Sequence, residues 1–469
     1  MNDPGRVVIL GAGPTGLGAA VRLHELGHDR WQVIEQEDRP GGLARSYVDD
    51  AGFTWDCGGH VQFSHYAYYD ALCDRAVGDA WLDHERESWI WIKGRFVPYP
   101  FQNNIQRLDP ADRDRALADV VRAAACRERR PANFAEWIVA TFGDALAELF
   151  FFPYNRKVWG YPLERLGISW MGERVAVPDV ERLRRNVRTG EDDLSWGPNN
   201  MFRFPLHGGT GAIWKGVAAR LPAEKIRFGA EVTAVRLAER IVELRDGRRV
   251  PYDALVSSLP LDVLCTMATD LPAALRQAAG RLVYSAVHVL GVGLRGPKPD
   301  TLARKCWMYF PEAHSPYYRV TVFSNYSPHN VPPDDACWSL MAEVSETPEK
   351  PVQVETLRRD VLAAMRSDGL LGGAEVVSFW HRREAHGYPT PFLGRDETLA
   401  CLLPGLEAHR VFSRGRFGAW KYEVSNQDHS CMQGVELVDR LLDAGDGDEP
   451  TLNRPDRVNA GAFAAKAGR

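Results

Sequence analysis

The most specific chemistry in the chain lies near its amino end, in Gly11-Ala-Gly13-Pro-Thr-Gly16. These residues follow a short apolar run, Arg6-Val-Val-Ile-Leu10. They open a helical pattern with Leu17, Ala20, Leu23 and Leu26 on one face and Gly27 as its stop. In that setting Gly11 and Gly13 permit a tight turn and close backbone approach to a pyrophosphate, and Gly16 lets helix and strand pack. The helix N-terminus adds N–H groups and a positive dipole end, which suit an anionic diphosphate. Trp31-Gln-Val-Ile-Glu35 reads as the next strand. Glu35 stands at its end, 24 residues after Gly11, placed to accept from an adenosine ribose hydroxyl.

A second glycine turn, Arg39-Pro-Gly41-Gly42-Leu43-Ala44, stands directly behind that acid. Flavoproteins of the amine-oxidase and glutathione-reductase type carry such an element and nicotinamide dehydrogenases do not. The pattern therefore points to FAD over NAD, with an ordinary β-turn as the competing reading. Other chemistry-bearing groups do not assemble. Ser425, Asp428 and His429 lie within five residues, whereas a hydrolase triad is built from separate elements. His381 and His386 miss the i, i+4 spacing of helical zinc ligands, and 443–448 lacks the order of a calcium loop. No metal site is expected. The eight cysteines are scattered singly with no C-x-x-C pair, as small core thiols of a reducing compartment would be.

The elements that must position these groups begin in βαβ order, the start of a doubly wound sheet. From 109 to 190, Arg, Ala, Asp and Glu are interleaved with apolar residues at helical spacing, which predicts a mostly helical insertion. A helix over 212–221, strands over 226–237 and 240–245, the turn Asp246-Gly247 and a strand ending at 257–260 return the chain to an α/β layout. Apolar runs at Val287–Val292, Trp307–Phe310, Tyr318–Asn325 and Trp338–Val344 predict an antiparallel sheet. A last helix is expected over 431–443, followed by a turn-rich, frayed tail.

The fold class read from this pattern is α/β: a Rossmann-like FAD-binding domain with an inserted helical domain and an antiparallel β-sheet domain. The FAD-binding domain is expected to be assembled from 1–83, 201–282 and 404–445. The sheet domain comes from 84–108 and 283–403, the helical substrate domain from 109–200, and a C-terminal tail from 446–469.

The 469 residues, with 45% hydrophobic and 25% charged, have the balance of an ordinary globular protein able to bury a large core. A net charge of −5 argues against a polyanion binder held by bulk charge, so no nucleic-acid partner is expected. It leaves room for one anionic ligand in a local basic pocket. Nine of the 57 cations are lysine and 48 arginine, which reads as codon usage. No leader and no apolar run of membrane-spanning length is read, so a cytoplasmic protein is expected.

Longer motifs follow in order: Gly58-Gly59-His60-Val-Gln-Phe-Ser-His65, Val97-Pro-Tyr99-Pro-Phe101-Gln102, Pro153-Tyr-Asn155-Arg-Lys-Val-Trp159, Gly172-Glu-Arg174 and Trp196-Gly-Pro-Asn199. Trp307-Met-Tyr309, Arg319, His386-Gly-Tyr388-Pro and Arg414-Gly-Arg416-Phe-Gly-Ala-Trp-Lys-Tyr422-Glu-Val-Ser-Asn426-Gln427 continue the series. Together they resemble the UDP-galactopyranose mutase family, in its eukaryotic type, from about residue 6 to about 457.

The resemblance implies a flavin-dependent isomerase that interconverts the pyranose and furanose forms of a nucleotide sugar without net redox change, through a reduced-FAD N5–sugar adduct. UDP-galactose is the default substrate, and NADPH is the implied reductant, with Arg86 and Ser88 helping to hold it. Gly11, Gly13, Gly16, Glu35, Gly41, Gly42, Leu43, Gly58, Gly59, Arg416, Asn426 and Gln427 are implied on the flavin, with His60 against it. Arg174 and Arg319 are implied as the diphosphate clamp, where planar paired donors serve better than a point charge. Tyr99, Phe101, Gln102, Phe150, Asn155 and Trp159 are implied around the uridine, Trp307 in the pocket, Tyr309, Tyr388 and Tyr422 at the phosphates, and Asn199 near the sugar. His60, Asn199 and the two arginines are the implied catalytic set. Read without the motifs, a single arginine is a solvated surface residue and a single aromatic is core.

Two departures stand out. The segment after Asn325-Tyr-Ser-Pro328 reaches Trp338 within ten residues, where those relatives carry a longer insertion, so the resemblance implies no oligomeric state for this chain. Lys421 replaces a frequent arginine. The competing readings are a net oxidase or desaturase of the amine-oxidase superfamily and a catalytically silent nucleotide-sugar-binding relative.

Overall fold

The computed structural model describes residues 3–126, 130–171, 175, 177–194, 200–333, 336–445 and 447–466. Val7–Leu10, buried at all four positions, is the central strand of a five-stranded parallel sheet. Ala254–Ser257 and Val411–Ser413 lie on one side of it, Trp31–Ile34 and Ile226–Arg227 on the other. A parallel sheet is covered on both faces, which is why its strands are continuous apolar runs. This one sheet draws strands from the beginning, middle and end of the chain. Pro14–Glu25 leaves the central strand and packs against Gln427–Leu441, so the first and last long helices meet over the glycine turn.

The second sheet has seven strands in the order Glu375–Pro389, Tyr284–Arg295, Cys337–Glu346, Arg319–Thr321, Trp307–Tyr309, Ser88–Ile92 and Arg95–Pro98. All neighbours run antiparallel except Trp307–Tyr309 with Ser88–Ile92, which run parallel. The upstream strand joins a sheet made of later residues, so no hairpin dictates its direction. The sheet lies against the aromatic pair Phe53 and Trp55: a Cβ on Gly291 would sit 2.5 Å from the Trp55 ring, and one on Gly293 2.6 Å from the Phe53 ring.

Between the strands Arg95–Pro98 and Met201–Pro205 the chain forms a helical unit. Pro110–Ala125, Phe134–Leu146, Phe152–Trp159 and Val180–Thr189 surround an apolar core that includes Ile138, Phe142, Leu146 and Phe151. Asn133 caps the second of these helices, accepting from the Glu136 N–H at 2.9 Å.

Four expectations change. The single strand over 226–237 is two. Ile226–Arg227 ends the parallel sheet, Gly229 at φ +66° turns the chain, and Val232–Arg236 begins a three-stranded meander with Ile241–Leu244 and Arg249–Pro251. The helix over 212–221 is Gly211–Ala218. The last long helix starts at Gln427, not 431, because its first turn is polar yet buried, which apolar periodicity cannot reveal. The tail is helical at Pro450–Asn453 and Pro455–Lys466. Buried Glu436 holds it, accepting from the Thr451 N–H and hydroxyl at 3.0 and 2.7 Å. Lys421 adds an ammonium donated to the Leu452 carbonyl at 2.8 Å.

Candidate active site

The amino-terminal glycine turn has the shape its spacing requires. Gly11 sits at φ +96°, and a Cβ on Gly16 would fall 1.9 Å from the Gly11 carbonyl oxygen. The second turn folds back on the first: Gly41 N–H donates to the Ala12 carbonyl at 2.8 Å, and a Cβ on Gly42 would come within 3.2 Å of Gly13 Cα. No side chain caps Pro14–Glu25, which leaves its N-terminal dipole facing this glycine-lined gap. Buried Glu35 accepts from the Ala12 and Glu37 N–H groups at 2.7 and 2.9 Å; burial nonetheless pushes its carboxyl above the ordinary range. Leu43 packs half-buried on the neighbouring core.

A third glycine turn, Gly58-Gly59-His60, lies on the second sheet. A Cβ on Gly59 would meet Trp307 Nε1 at 2.9 Å and Thr321 Oγ1 at 3.0 Å, so the backbone rests directly on a cross-strand pair. His60 Nδ1 is buried with no hydrogen-bond partner among the described residues. Burial and the nearby Arg416 and Arg319 push this imidazole down to about 4 despite Glu343, so it is neutral at pH 7. An orphaned ring nitrogen, and a first glycine turn on which a second folds back, fit a bound dinucleotide.

The second sheet supplies the charged part of the site. Tyr309 stands opposite Arg319, and Arg319 opposite Glu343, on adjacent strands. Direct cross-strand partners share a face, so the three side chains form one row. Arg319 donates through Nε and Nη2 to the two Glu343 oxygens, each at 2.7 Å. Glu343 also accepts from Gly59 N–H at 3.2 Å and the Tyr318 hydroxyl at 2.8 Å. Burial opposes the Arg319 charge, yet Glu343 holds the guanidinium protonated well above its ordinary range.

Aromatic side chains wall this row. Tyr99 meets Tyr309 at 5.5 Å, Tyr154 meets Tyr309 at 5.6 Å, and Phe150 stacks on Tyr154 at 5.1 Å with Phe101 behind it at 4.8 Å. On the other side Trp159, Tyr388 and Tyr422 lie mutually within 5.0–6.0 Å. The helix Phe152–Trp159 explains part of this arrangement. Pro153 sits in its first turn, where a missing N–H costs nothing, after a wide turn over Ala147–Phe151. Phe150 and Tyr154 then share a face. Arg416 bridges the late segments, donating to the Gly387 carbonyl and Ser425 Oγ, both at 2.8 Å, with its guanidinium 5.0 Å from the Tyr388 ring.

The family model for flavin-containing amine oxidoreductases matches residues 14–406. A crystal structure of reduced UDP-galactopyranose mutase is 48% identical, superposes with a TM-score of 0.94, and covers 97% of this chain and 99% of its own. The chain belongs to the UDP-galactopyranose mutase family, within the flavin-containing amine oxidoreductases. Wild-type putrescine oxidase bound to putrescine shares the fold at 17% identity and a TM-score of 0.63, covering 93% of this chain and 99% of that one. A zeta-carotene-forming phytoene desaturase of Myxococcus xanthus is 41% identical over 73 residues, 16% of this chain and 13% of that protein.

Within this UDP-galactopyranose mutase family member the expected site residues divide into groups. Tyr99, Trp159, Trp307, Tyr309, Arg319, Tyr388 and Tyr422 come together in one cluster on the second sheet, joined by Arg86, whose guanidinium lies 5.4 Å from Tyr99 and 5.2 Å from Trp307. Arg86 Nε donates to Ser88 Oγ at 2.9 Å. Phe101, Gln102 and Phe150 are buried in the wall behind. Asn155 turns its amide to the Phe151 carbonyl at 2.8 Å, Gln427 accepts from Trp214 Nε1 at 2.7 Å, and Asn426 is exposed at the helix start. Arg174 and Asn199 lie outside the described residues.

Ser425 bonds to Arg416 and the Tyr422 carbonyl while Asp428 takes the His65 ring at 2.6 Å, so no triad forms. His65, Asp428 and His429 do bring their ligand atoms within 4.8 Å of one another. Sequence reasoning passed over Glu343, Tyr154 and Tyr318. Glu343 had a signal: it is the single charge inside the apolar run Trp338–Val344.

Proposed function

We propose that this chain interconverts the pyranose and furanose forms of a nucleotide sugar, with UDP-galactopyranose and UDP-galactofuranose as the default pair. The observation that carries the reading is Arg319, held in a fork by Glu343 among tyrosines beside the Gly58–His60 turn. Oxidation of an amine or a polyene needs no such diphosphate-binding arginine. FAD, held by the glycine turns and Glu35, supplies in its reduced form a nucleophilic nitrogen for the anomeric carbon.

The chain's own residues bind and orient. As the glycosidic bond breaks, negative charge grows on the leaving diphosphate, and a fixed guanidinium stabilises that state more than the ground state. Arg319 provides it, with Arg174 as its proposed partner. Burial keeps the Tyr388 hydroxyl protonated, so it donates to a phosphate oxygen without adding charge. Neutral His60 offers a hydrogen bond toward the cofactor and no proton-transfer acid. Tyr154 and Phe150, stacked at 5.1 Å, form an aromatic wall suited to a uracil ring.

NADPH is the proposed reductant. A cavity of about 230 Å³, lined by Arg86, Ser88, Trp89 and Tyr99 together with the acids Glu85 and Glu87, offers an aromatic and hydrogen-bonding surface. All eight cysteines are free thiols, which supports a cytoplasmic protein. Among the described residues no helix is long and apolar enough to cross a membrane.

Anaerobic incubation of the reduced holoenzyme with UDP-galactofuranose should yield UDP-galactopyranose. Turnover by the oxidised enzyme alone, or stoichiometric peroxide from an amine, would overturn the reading.

A further inference from the structure

We infer that Glu343 is a positioning residue for the diphosphate: it sets the free edge of Arg319 and opposes the ligand's charge, so that the leaving group is held without being trapped. This deepens the proposed function and rests on its assignment of Arg319 to the diphosphate.

Glu343 lies in the middle of Cys337–Glu346, its side chain 3% exposed. Each of its oxygens already takes two donors. Oε1 receives Arg319 Nε and Gly59 N–H; Oε2 receives Arg319 Nη2 and the Tyr318 hydroxyl. The carboxylate is thereby saturated by the protein and has no lone pair left for a ligand. The Arg319 guanidinium, by contrast, makes no other hydrogen bond among the described residues. Its Nη1 hydrogens and the outer hydrogen of Nη2 remain for an anion. A planar guanidinium gripped along one edge presents the opposite edge in a fixed direction.

The same contact sets the charge. Arg319 and Glu343 form a neutral pair before ligand binds, so an arriving diphosphate meets one positive group backed by one negative group. A unit charge within roughly 6–8 Å of the ligand, in a partly buried site, changes affinity by about tenfold or more. Such opposition suits a leaving group that must later re-add to the sugar, because overly tight ground-state binding deepens the well from which the reaction starts. Gly59, also bonded to Glu343, ties this arrangement to the turn that carries His60.

Glu343→Gln keeps the shape and one acceptor while removing the charge. Its amide hydrogens face Arg319 Nη2, donor against donor, which releases the guanidinium. With the FAD-loaded protein, calorimetric titration of UDP should give a dissociation constant about tenfold lower than wild type, while kcat falls at least tenfold. Glu343→Asp retains the charge but is a methylene too short to span the fork. It should leave the UDP dissociation constant within about threefold of wild type while kcat again falls.

A purely structural carboxylate would lower affinity and turnover together in both variants, and that result, or an unchanged UDP affinity in Glu343→Gln, overturns the inference. Should Glu343→Gln not fold, parallel loss of affinity and kcat in Glu343→Asp is the refuting outcome. Arg319→Ala separates the two levels. A UDP dissociation constant raised about 100-fold upholds the diphosphate assignment whatever Glu343 does, and an unchanged one removes that assignment and the inference with it.

Discussion

Replacing Arg319 by alanine should destabilise the protein by stranding the buried Glu343 carboxylate. Two of the four donors to Glu343 come from Arg319, and the carboxylate is 3% exposed. Gly59 N–H and the Tyr318 hydroxyl remain, both neutral. Removing one partner of a buried ion pair costs about 3–5 kcal/mol, because the other charge is left in a poor solvent. Arg319→Met combined with Glu343→Leu removes both charges and should recover most of that deficit. Urea unfolding of the holoenzymes at neutral pH, followed by tryptophan fluorescence, reads both quantities. A single variant within about 1 kcal/mol of wild type, or a double variant as unstable as the single one, refutes the reasoning.

Asp56 is fully buried and accepts from the Ser46 hydroxyl and the Thr210 N–H, yet burial pushes its carboxyl up to about 7. That raised value removes roughly 3–4 kcal/mol of stability as pH rises from about 4 through 7. Asp56→Asn should flatten this part of the profile in thermal unfolding at pH 5 and 8, and parallel curves would count against it. Gly16→Ala, whose Cβ would lie 1.9 Å from the Gly11 oxygen, should yield protein without flavin absorbance; a full flavin complement would be the contrary result. Tyr154→Ala opens the wall between Phe150 and Tyr309 and should raise the KM for the nucleotide sugar at least tenfold while flavin stays bound. An unchanged KM would remove Tyr154 from the pocket.

The parts legible in the sequence are those whose determinants lie within a few turns of chain. The first glycine turn, its flanking strand and helix and the acid at Glu35 occupy thirty contiguous residues, Arg6 to Glu35, and the structure forms each of them. The helical insertion was equally local, written in the periodicity of 109–190. The polar first turn of Gln427–Leu441 and the helices after 450 were not, because long-range contacts stabilise them: the latter rest on Glu436 and Lys421, reached only after folding.

The sequence by itself determined that a diphosphate-bearing dinucleotide could be bound, and its long motifs carried the family resemblance. It could not reveal that Tyr309, Arg319 and Glu343 form a row. Nothing in residues 10 and 24 positions apart distinguishes this from three unrelated side chains. Strand register decides it: a shift of one residue would turn each side chain to the opposite face. The register that places Glu343 opposite Arg319 depends on the whole apolar packing of the second sheet. The motifs pointed to Arg319, and tertiary structure decided which acid stands behind it.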